Sequence, residues 1–226
     1  MTATSKLILH SCYRSSCAAR LRIALNLKEL PTQYLHDHQR AGEHMEDTAQ
    51  QPPLVVNVPL LTHLVNNVAI ANISQSVAAL EYLEERFSMY FPLLPPFNQP
   101  VQRAQVRCLV NVIATNTQPL IKRSIVAKVK HLSGAGEDWE VQALSRGLTA
   151  YEKLAKETAG TYSVGNQVTL ADVCLVPCVW TAGVYGVDLD PMPLVLRVYG
   201  AMMELDAVQR SHWRRQEDTP QSERWL

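Results

Sequence analysis

Net charge, long apolar runs and an even cysteine count are what this sequence lacks. With 21 basic and 21 acidic side chains in 226 residues, the formal charge is zero and the pI is near 7.0. Such a chain has no long-range field to draw it onto a phosphate backbone or an anionic bilayer, which excludes nucleic acid and charged membrane surfaces as expected partners. Any ligand must then be recognised by a shaped site. No window of about 18 uncharged apolar residues occurs, so a membrane-spanning helix is excluded as well. The opening Met1-Thr2-Ala3-Thr4-Ser5-Lys6 lacks the basic-then-apolar plan of a secretory signal. Five cysteines, at 12, 17, 108, 174 and 178, argue against a disulfide framework and for reduced thiols. A soluble, cytoplasmic protein is the expectation. Glycine is scarcer than proline, 9 against 13, so stiff breaks rather than flexible linkers punctuate the chain.

What is present is an ordinary globular composition, 47% hydrophobic and 19% charged, in a length that suits two small domains. Four of the 13 prolines fall in Ser88 to Pro100, SMYFPLLPPFNQP, where helix cannot persist. Before that break, Lys6 to His10 reads as a strand, Ser15 to Leu27 as a helix and Thr32 to Leu35 as a strand, which makes a βαβ unit. Val58 to Thr62 and Val68 to Ile70 follow as strands and Ser74 to Arg86 as a helix. After it, Arg103 to Lys130, Trp139 to Lys156, Leu170 to Trp180 and Leu194 to Ala207 all carry helical patterning. The expected organisation is an α/β domain over 1–90, a proline-rich linker over 91–100 and an all-helical domain over 101–226.

Three clusters stand above this background. Ser15-Ser16-Cys17 sits at the start of the first helix, where unpaired N–H groups and a partial positive charge favour an anion. The same residues are also ordinary as a cap and a small core side chain. Val58-Pro59 marks a strand entrance where proline cannot donate to a ladder and a cis bond is inexpensive. Gln75-Ser76 at the next helix start offers an amide, a hydroxyl and helix-terminal N–H groups suited to a carboxylate, or serves as a polar cap. The third cluster, Val168-Thr169-Leu170-Ala171-Asp172-Val173, is a capping box: Thr169 caps, Asp172 answers at N3, and Val168 and Val173 are placed as the hydrophobic staple. It is read as structural, and Pro177 is expected to kink or end the helix that it starts. Cys174 and Cys178, one turn apart in an apolar run, are read as core, and His36 and His38 as surface; no metal site is expected.

The segments RSSCAARLRIALNLK at 14–28, Val58-Pro59, SQSVAALEYLEE at 74–85 and TYSVGNQVTLADVCLVP at 161–177, with the tail SHWRRQEDTP at 211–220, closely resemble the zeta class of glutathione transferases. The resemblance implies a thioredoxin-like N-terminal domain that binds glutathione, an all-helical C-terminal domain over the second substrate, and a homodimer. It places the catalytic serine on Ser15, with Ser16 and Cys17 completing its motif. Gln75 and Ser76 match the pair that holds the γ-glutamyl carboxylate, and Val58, before Pro59, the residue whose main chain pairs with the cysteinyl unit. Gln118 matches a glutamine that reaches the active site from the second domain, and His44 falls near a contact to the peptide.

The implied activity is isomerisation of maleylacetoacetate type, in aromatic amino acid catabolism: the glutathione thiolate adds to a cis double bond, the bond rotates, and sulfur leaves with the alkene trans. The substrate is a small acidic or electrophilic molecule. Lowering a thiol pKa of about 8.5 by about two requires roughly 2.7 kcal/mol of preference for thiolate. A hydroxyl bond to the anion at roughly 1.5 to 3 kcal/mol plus a helix terminus at roughly 0.3 to 1 suffices without a general base. One position departs from the pattern. Where isomerases of this class usually carry an arginine to grip a substrate carboxylate, this chain has Val184, leaving Arg14 as the cation expected to compensate. The departure keeps open a transferase that conjugates or dehalogenates small acids, and, in another class, a non-catalytic interaction module.

Overall fold

A computed structural model of the chain describes residues 4–36, 58–133 and 138–225. They divide into two compact units, Met1–Phe91 with Ala207–Leu226, and Pro92–Asp206. The sequence reading assigns residues 207–226 to the second domain, whereas the structure groups them with the first. The reason is polar: Arg22 and Asn26 of the first helix hold Ser211, and Asp218 holds the main chain of Tyr13.

The first unit contains a four-stranded sheet in the order β2-β1-β3-β4. The strands are β1 (Ser5–Ser11), β2 (Thr32–His36), β3 (Leu60–Val65) and β4 (Val68–Ser74). β1 pairs in parallel with β2 across helix α1 (Ser16–Leu27) and antiparallel with β3, and β3 pairs antiparallel with β4 before helix α2 (Ser76–Arg86). This βαβ-ββα order is thioredoxin-like. The hairpin turn is Asn66-Asn67, both at positive φ (52° and 64°), the twist that a two-residue hairpin requires and that asparagine tolerates. β3 and β4 run further than the sequence reading gives them. Ladder bonding carries β4 on through Ala71-Asn72, residues of low strand propensity.

Two fully buried cations brace this unit. Lys28, capping the end of α1, has Nζ 2.8 Å from Glu84 Oε2 on α2 and donates to the carbonyls of Phe87, Tyr90 and Phe91. His63, wholly buried on β3, lies 2.8 Å from the Ser5 hydroxyl and 2.6 Å from Tyr82 Oη. Burial, with a smaller push from Arg86, lowers its pKa, so it serves as a neutral bridge between sheet and α2. The second buried cation is Arg22, which belongs to the site described below.

The second unit is helical among its described residues: α3 (Pro100–Asn111), α4 (Arg123–Ser133), α5 (Trp139–Ala155), α6 (Leu170–Val184) and α7 (Pro193–Met203), with α8 (Asp206–Arg210) beginning at its end. Two expectations need correction. The helix expected over Arg103 to Lys130 is broken: a π-helical turn at Val112–Thr117 and a 3-10 turn at Gln118–Ile121 separate α3 from α4. Pro119 has no amide to continue the ladder and disfavours helical geometry before it. The helix after the capping box, in contrast, does not end at Pro177 but continues to Val184. Twelve of its 15 residues are buried, and that packing outweighs the roughly 3 kcal/mol that an interior proline costs. No helix among the described residues is long and apolar enough to cross a membrane.

Candidate active site

Ser15 is the N-cap of α1. Its backbone is extended (φ −75°, ψ 108°), and its hydroxyl oxygen accepts the Ala18 amide at 3.1 Å. Capping uses a lone pair of the oxygen and leaves its hydrogen available for donation. The hydroxyl is therefore a donor mounted on a helix N-terminus, where the partial positive charge favours an anion. Ser16 opens the helix and Cys17 follows, both half-buried.

The loop that delivers Ser15 is held from below by Arg22, about two turns along the same helix. Its guanidinium is buried and donates to the Ser11 hydroxyl, to the carbonyls of Cys12 and Tyr13, and to the carbonyl of Ser211. Burial lowers its pKa to about 10, against the attraction of Tyr34, Asp218 and Cys12, so it remains a cation at neutral pH. Sequence reasoning missed Arg22. The available signal was a pair of arginines, Arg20 and Arg22, inside the otherwise apolar run Ala18 to Leu25, which α1 buries almost whole.

Val58 packs with Cys12 and Tyr13 in a buried cluster against which Trp213 rests. Its bond to Pro59 is cis. Gln75 and Ser76 start α2, as expected, but in different states. Gln75 is exposed, makes no side-chain cap bond, and has φ 76° and ψ 113°, a left-handed-side geometry rarely tolerated by a residue with a Cβ and found where function constrains the main chain. Ser76 is buried, and its hydroxyl accepts from Arg20 Nη1 at 3.0 Å. Arg20 is thus a second buried arginine of α1 that the sequence reading passed over. Ser15, Val58, Gln75 and Ser76 all belong to the first unit.

Arg14 also lies there, half-exposed, with Nη2 2.8 Å from Glu223 Oε1. The cation expected to compensate for Val184 is already ion-paired within its own unit. His44 lies outside the described residues. In the second unit, Gln118 begins the 3-10 turn, half-buried. The turn before it packs tightly on α5: a Cβ at Gly147 would lie 2.0 Å from Thr117 Oγ1, which donates to Val112 O. Val184 is the last residue of α6 and is 64% exposed.

Asp172 does what its spacing predicts. Its carboxylate accepts from the amides of Thr169 and Ser163 and from the Thr169 hydroxyl, at 2.7 to 2.9 Å, in a wholly buried setting. Burial raises its pKa despite these bonds. Val168 and Val173 are buried too, as are Cys174 and Cys178. His36 is exposed, as expected, with Nδ1 3.2 Å from Asp218 Oδ1, and His38 lies outside the described residues. Among the described residues no group of three His, Cys, Asp or Glu side chains is placed to hold a metal.

The profile of the glutathione S-transferase C-terminal domain family matches residues 136–206. A probable glutathione S-transferase of Coccidioides immitis is 44% identical over 220 residues, covering 94% of this chain and 95% of that protein. Maleylacetoacetate isomerase of Emericella nidulans is 39% identical over 95% of each chain. A bacterial maleylpyruvate isomerase described as a zeta-class glutathione S-transferase superposes with TM-score 0.80 at 35% identity, over 94% of this chain and all of that one. The chain belongs to the zeta class of glutathione transferases. The chain also superposes on maleylacetoacetate isomerase from Anaeromyxobacter dehalogenans 2CP-1, crystallised with glutathione in its active site, at TM-score 0.85 and 33% identity over 97% of this chain and all of that one. Both halves of the zeta-class organisation, a four-stranded mixed sheet with helices and an all-helical partner, are present here.

Proposed function

We propose that this zeta-class chain is a glutathione-dependent cis–trans isomerase of maleylacetoacetate type. The observation that carries the reading is the bonding of Ser15, whose oxygen caps α1 while its hydrogen stays free for a thiolate. The residues around it suit a γ-glutamyl thiol peptide. Gln75, exposed and with its main chain turned out of the usual range at the head of α2, suits the γ-glutamyl carboxylate, and the main chain of Val58 suits the cysteinyl unit. Ser76, engaged by Arg20, offers its amide at the helix start. Bound glutathione supplies the thiolate that adds to the alkene and is expelled after rotation. Ser15 holds a proton against that sulfur without removing it, and the α1 N-terminus adds to the preference for charge. Maleylacetoacetate isomerases among the relatives, from fungi and rat at 38–40% identity, support the substrate class.

Ser15→Ala then raises the pKa of bound glutathione and lowers turnover at pH 7 by about ten- to hundredfold, the kinetic equivalent of a lost 1.5 to 3 kcal/mol bond. Activity returns in part at high pH. Cys17→Ala changes affinity more than rate, since Cys17 lines the site without forming a covalent intermediate. A Cys17→Ala enzyme that is dead beside a Ser15→Ala enzyme that is intact sinks the assignment.

One observation favours a second reading. Val184 stands in place of the arginine and Arg14 is paired with Glu223, so a substrate carboxylate loses a charge-assisted partner worth roughly 1.5 to 3 kcal/mol. A transferase acting on halogenated small acids needs less from that position. Parallel assays of cis–trans isomerisation and of conjugation decide between them. The chain is further proposed to act in the cytoplasm as a homodimer. Val68 and Ile70 on the edge strand β4, 64% and 54% exposed, are apolar surface suited to a two-fold contact. A monomer in sedimentation at micromolar concentration removes the dimer.

A further inference from the structure

The tail Ser211 to Pro220, quoted above only as the far end of the family resemblance, is bonded to the loop that carries Ser15. Asp218 Oδ2 accepts the Tyr13 amide at 2.8 Å, two residues before Ser15. Asp218 Oδ1 lies 3.2 Å from His36 Nδ1 on β2, and the Asp218 side chain is 4% exposed. Tyr13 is gripped at its other main-chain group by Arg22, whose Nη2 donates to the Tyr13 carbonyl. Glu223 engages Arg14 and, at 3.5 Å, Tyr13 Oη. The tail is also bonded to itself. Gln216 Nε2 donates to the carbonyls of Arg210 and His212, Thr219 Oγ1 donates to Trp213 O, and His212 stacks on Trp225 with ring centres 4.0 Å apart.

We infer that Asp218 is a positioning residue: by fixing the Tyr13 amide from the C-terminal tail it sets where the Ser15 hydroxyl meets the thiolate. The inference rests on the reading of Ser15 given above. Its geometry belongs wholly to the first unit, and it gives the tail a role in the chemistry, although no tail side chain is proposed to touch glutathione.

Charge supplies the discriminating sign. Deleting a carboxylate near a thiolate lowers the thiol pKa by Coulomb's law, because a repulsion is removed. Letting the Ser15 donor drift raises it. The test is a spectroscopic titration of glutathione bound to Asp218→Ala, Asp218→Asn and Ser15→Ala, with pH profiles of kcat and KM and a thermal melt for each. Asp218→Ala is expected to raise the bound thiol pKa and lower kcat about three- to tenfold at pH 7, with recovery at high pH. Asp218→Asn keeps an oxygen for the Tyr13 amide and is expected to recover most of that loss. A thiol pKa that is unchanged or lowered in folded Asp218→Ala overturns the inference, as does an Asp218→Asn enzyme whose thiol pKa rises as far as that of Asp218→Ala. A lower melting temperature without a raised thiol pKa marks a merely structural residue and overturns it too. If Asp218→Ala does not fold, Asp218→Glu, which keeps the charge and moves the carboxylate, is held to the same rise. Should Ser15→Ala leave the thiol pKa unmoved, the reading of Ser15 fails first, which separates the two failures.

Discussion

Lys28 is the position where the largest stability effect is expected, and the structure allows its size to be worked out. Its side chain is 0% exposed and that of Glu84 is 8% exposed. The ammonium satisfies that carboxylate and three carbonyls in the turn after α2. Lys28→Met preserves length and apolar stem but strips the cation from a buried anion, a change that costs about 3 to 5 kcal/mol in such pairs. Glu84→Gln alone leaves the lysine with a weaker acceptor. In the double variant the uncompensated anion is gone, so a coupling of about 2 to 3 kcal/mol between the two sites is expected. Chemical denaturation of the four proteins measures it. Glutathione affinity is expected to change far less, since Ser15 lies at the other end of α1, about 18 Å away along a 12-residue helix. A loss below about 1 kcal/mol, or a strictly additive cycle, refutes the claim that this pair and its carbonyls lock α1 to α2.

Two further perturbations test the buried polar groups elsewhere. Thr169→Ala is expected to cost about 0.5 to 2 kcal/mol, and Asp172→Ala more, about 2 to 4, because it also strands the Ser163 amide; both should bind glutathione normally, and lost binding at unchanged stability in calorimetry assigns the pair to the site instead. His212 is held neutral chiefly by burial, then by Arg214, Arg22 and Arg215, with its pKa lowered to about 4. The unfolded chain takes up this proton first, so the contribution of His212 is complete above about 6.5 and lost as pH falls toward 4. His212→Phe, which keeps an aromatic ring against Trp225, should therefore show a flatter fall in stability over that window, and identical slopes would falsify the neutral imidazole.

The parts of the fold that were legible are those specified by neighbours in sequence. α1 and α5 are read within a residue or two because their patterning and boundaries are local, and the capping box at Thr169 and Asp172 is read to the atom because its partners are three residues apart. Of the two outcomes expected at Pro177, a kink or an end, the end fails for the opposite reason. A local rule stops the helix there, and burial of nearly every residue of α6, a property of the whole unit, carries it on. The break at 112–121 has a partial signal in Pro119, but the close approach of Thr117 to Gly147 on α5, 30 residues away, has none. The clamps on the Ser15 loop had no pattern to announce them. Arg22 meets Ser211, and Tyr13 meets Asp218, across 189 and 205 residues.

At Ser15 the sequence posed a choice between a helix cap and a donor to an anion, and the geometry shows why the two are not rivals. The cap bond runs into the oxygen from Ala18, while donation would run out of it through the hydrogen. Accepting from a helix-terminal amide also polarises the hydroxyl and makes it the better donor, as bonds in a chain strengthen one another. The cap fixes the oxygen relative to α1, and Arg22 fixes the loop leading to it from the same helix. A cap residue is therefore a well-held place to mount a donor: the bond that starts the helix is also the bond that aims the hydroxyl.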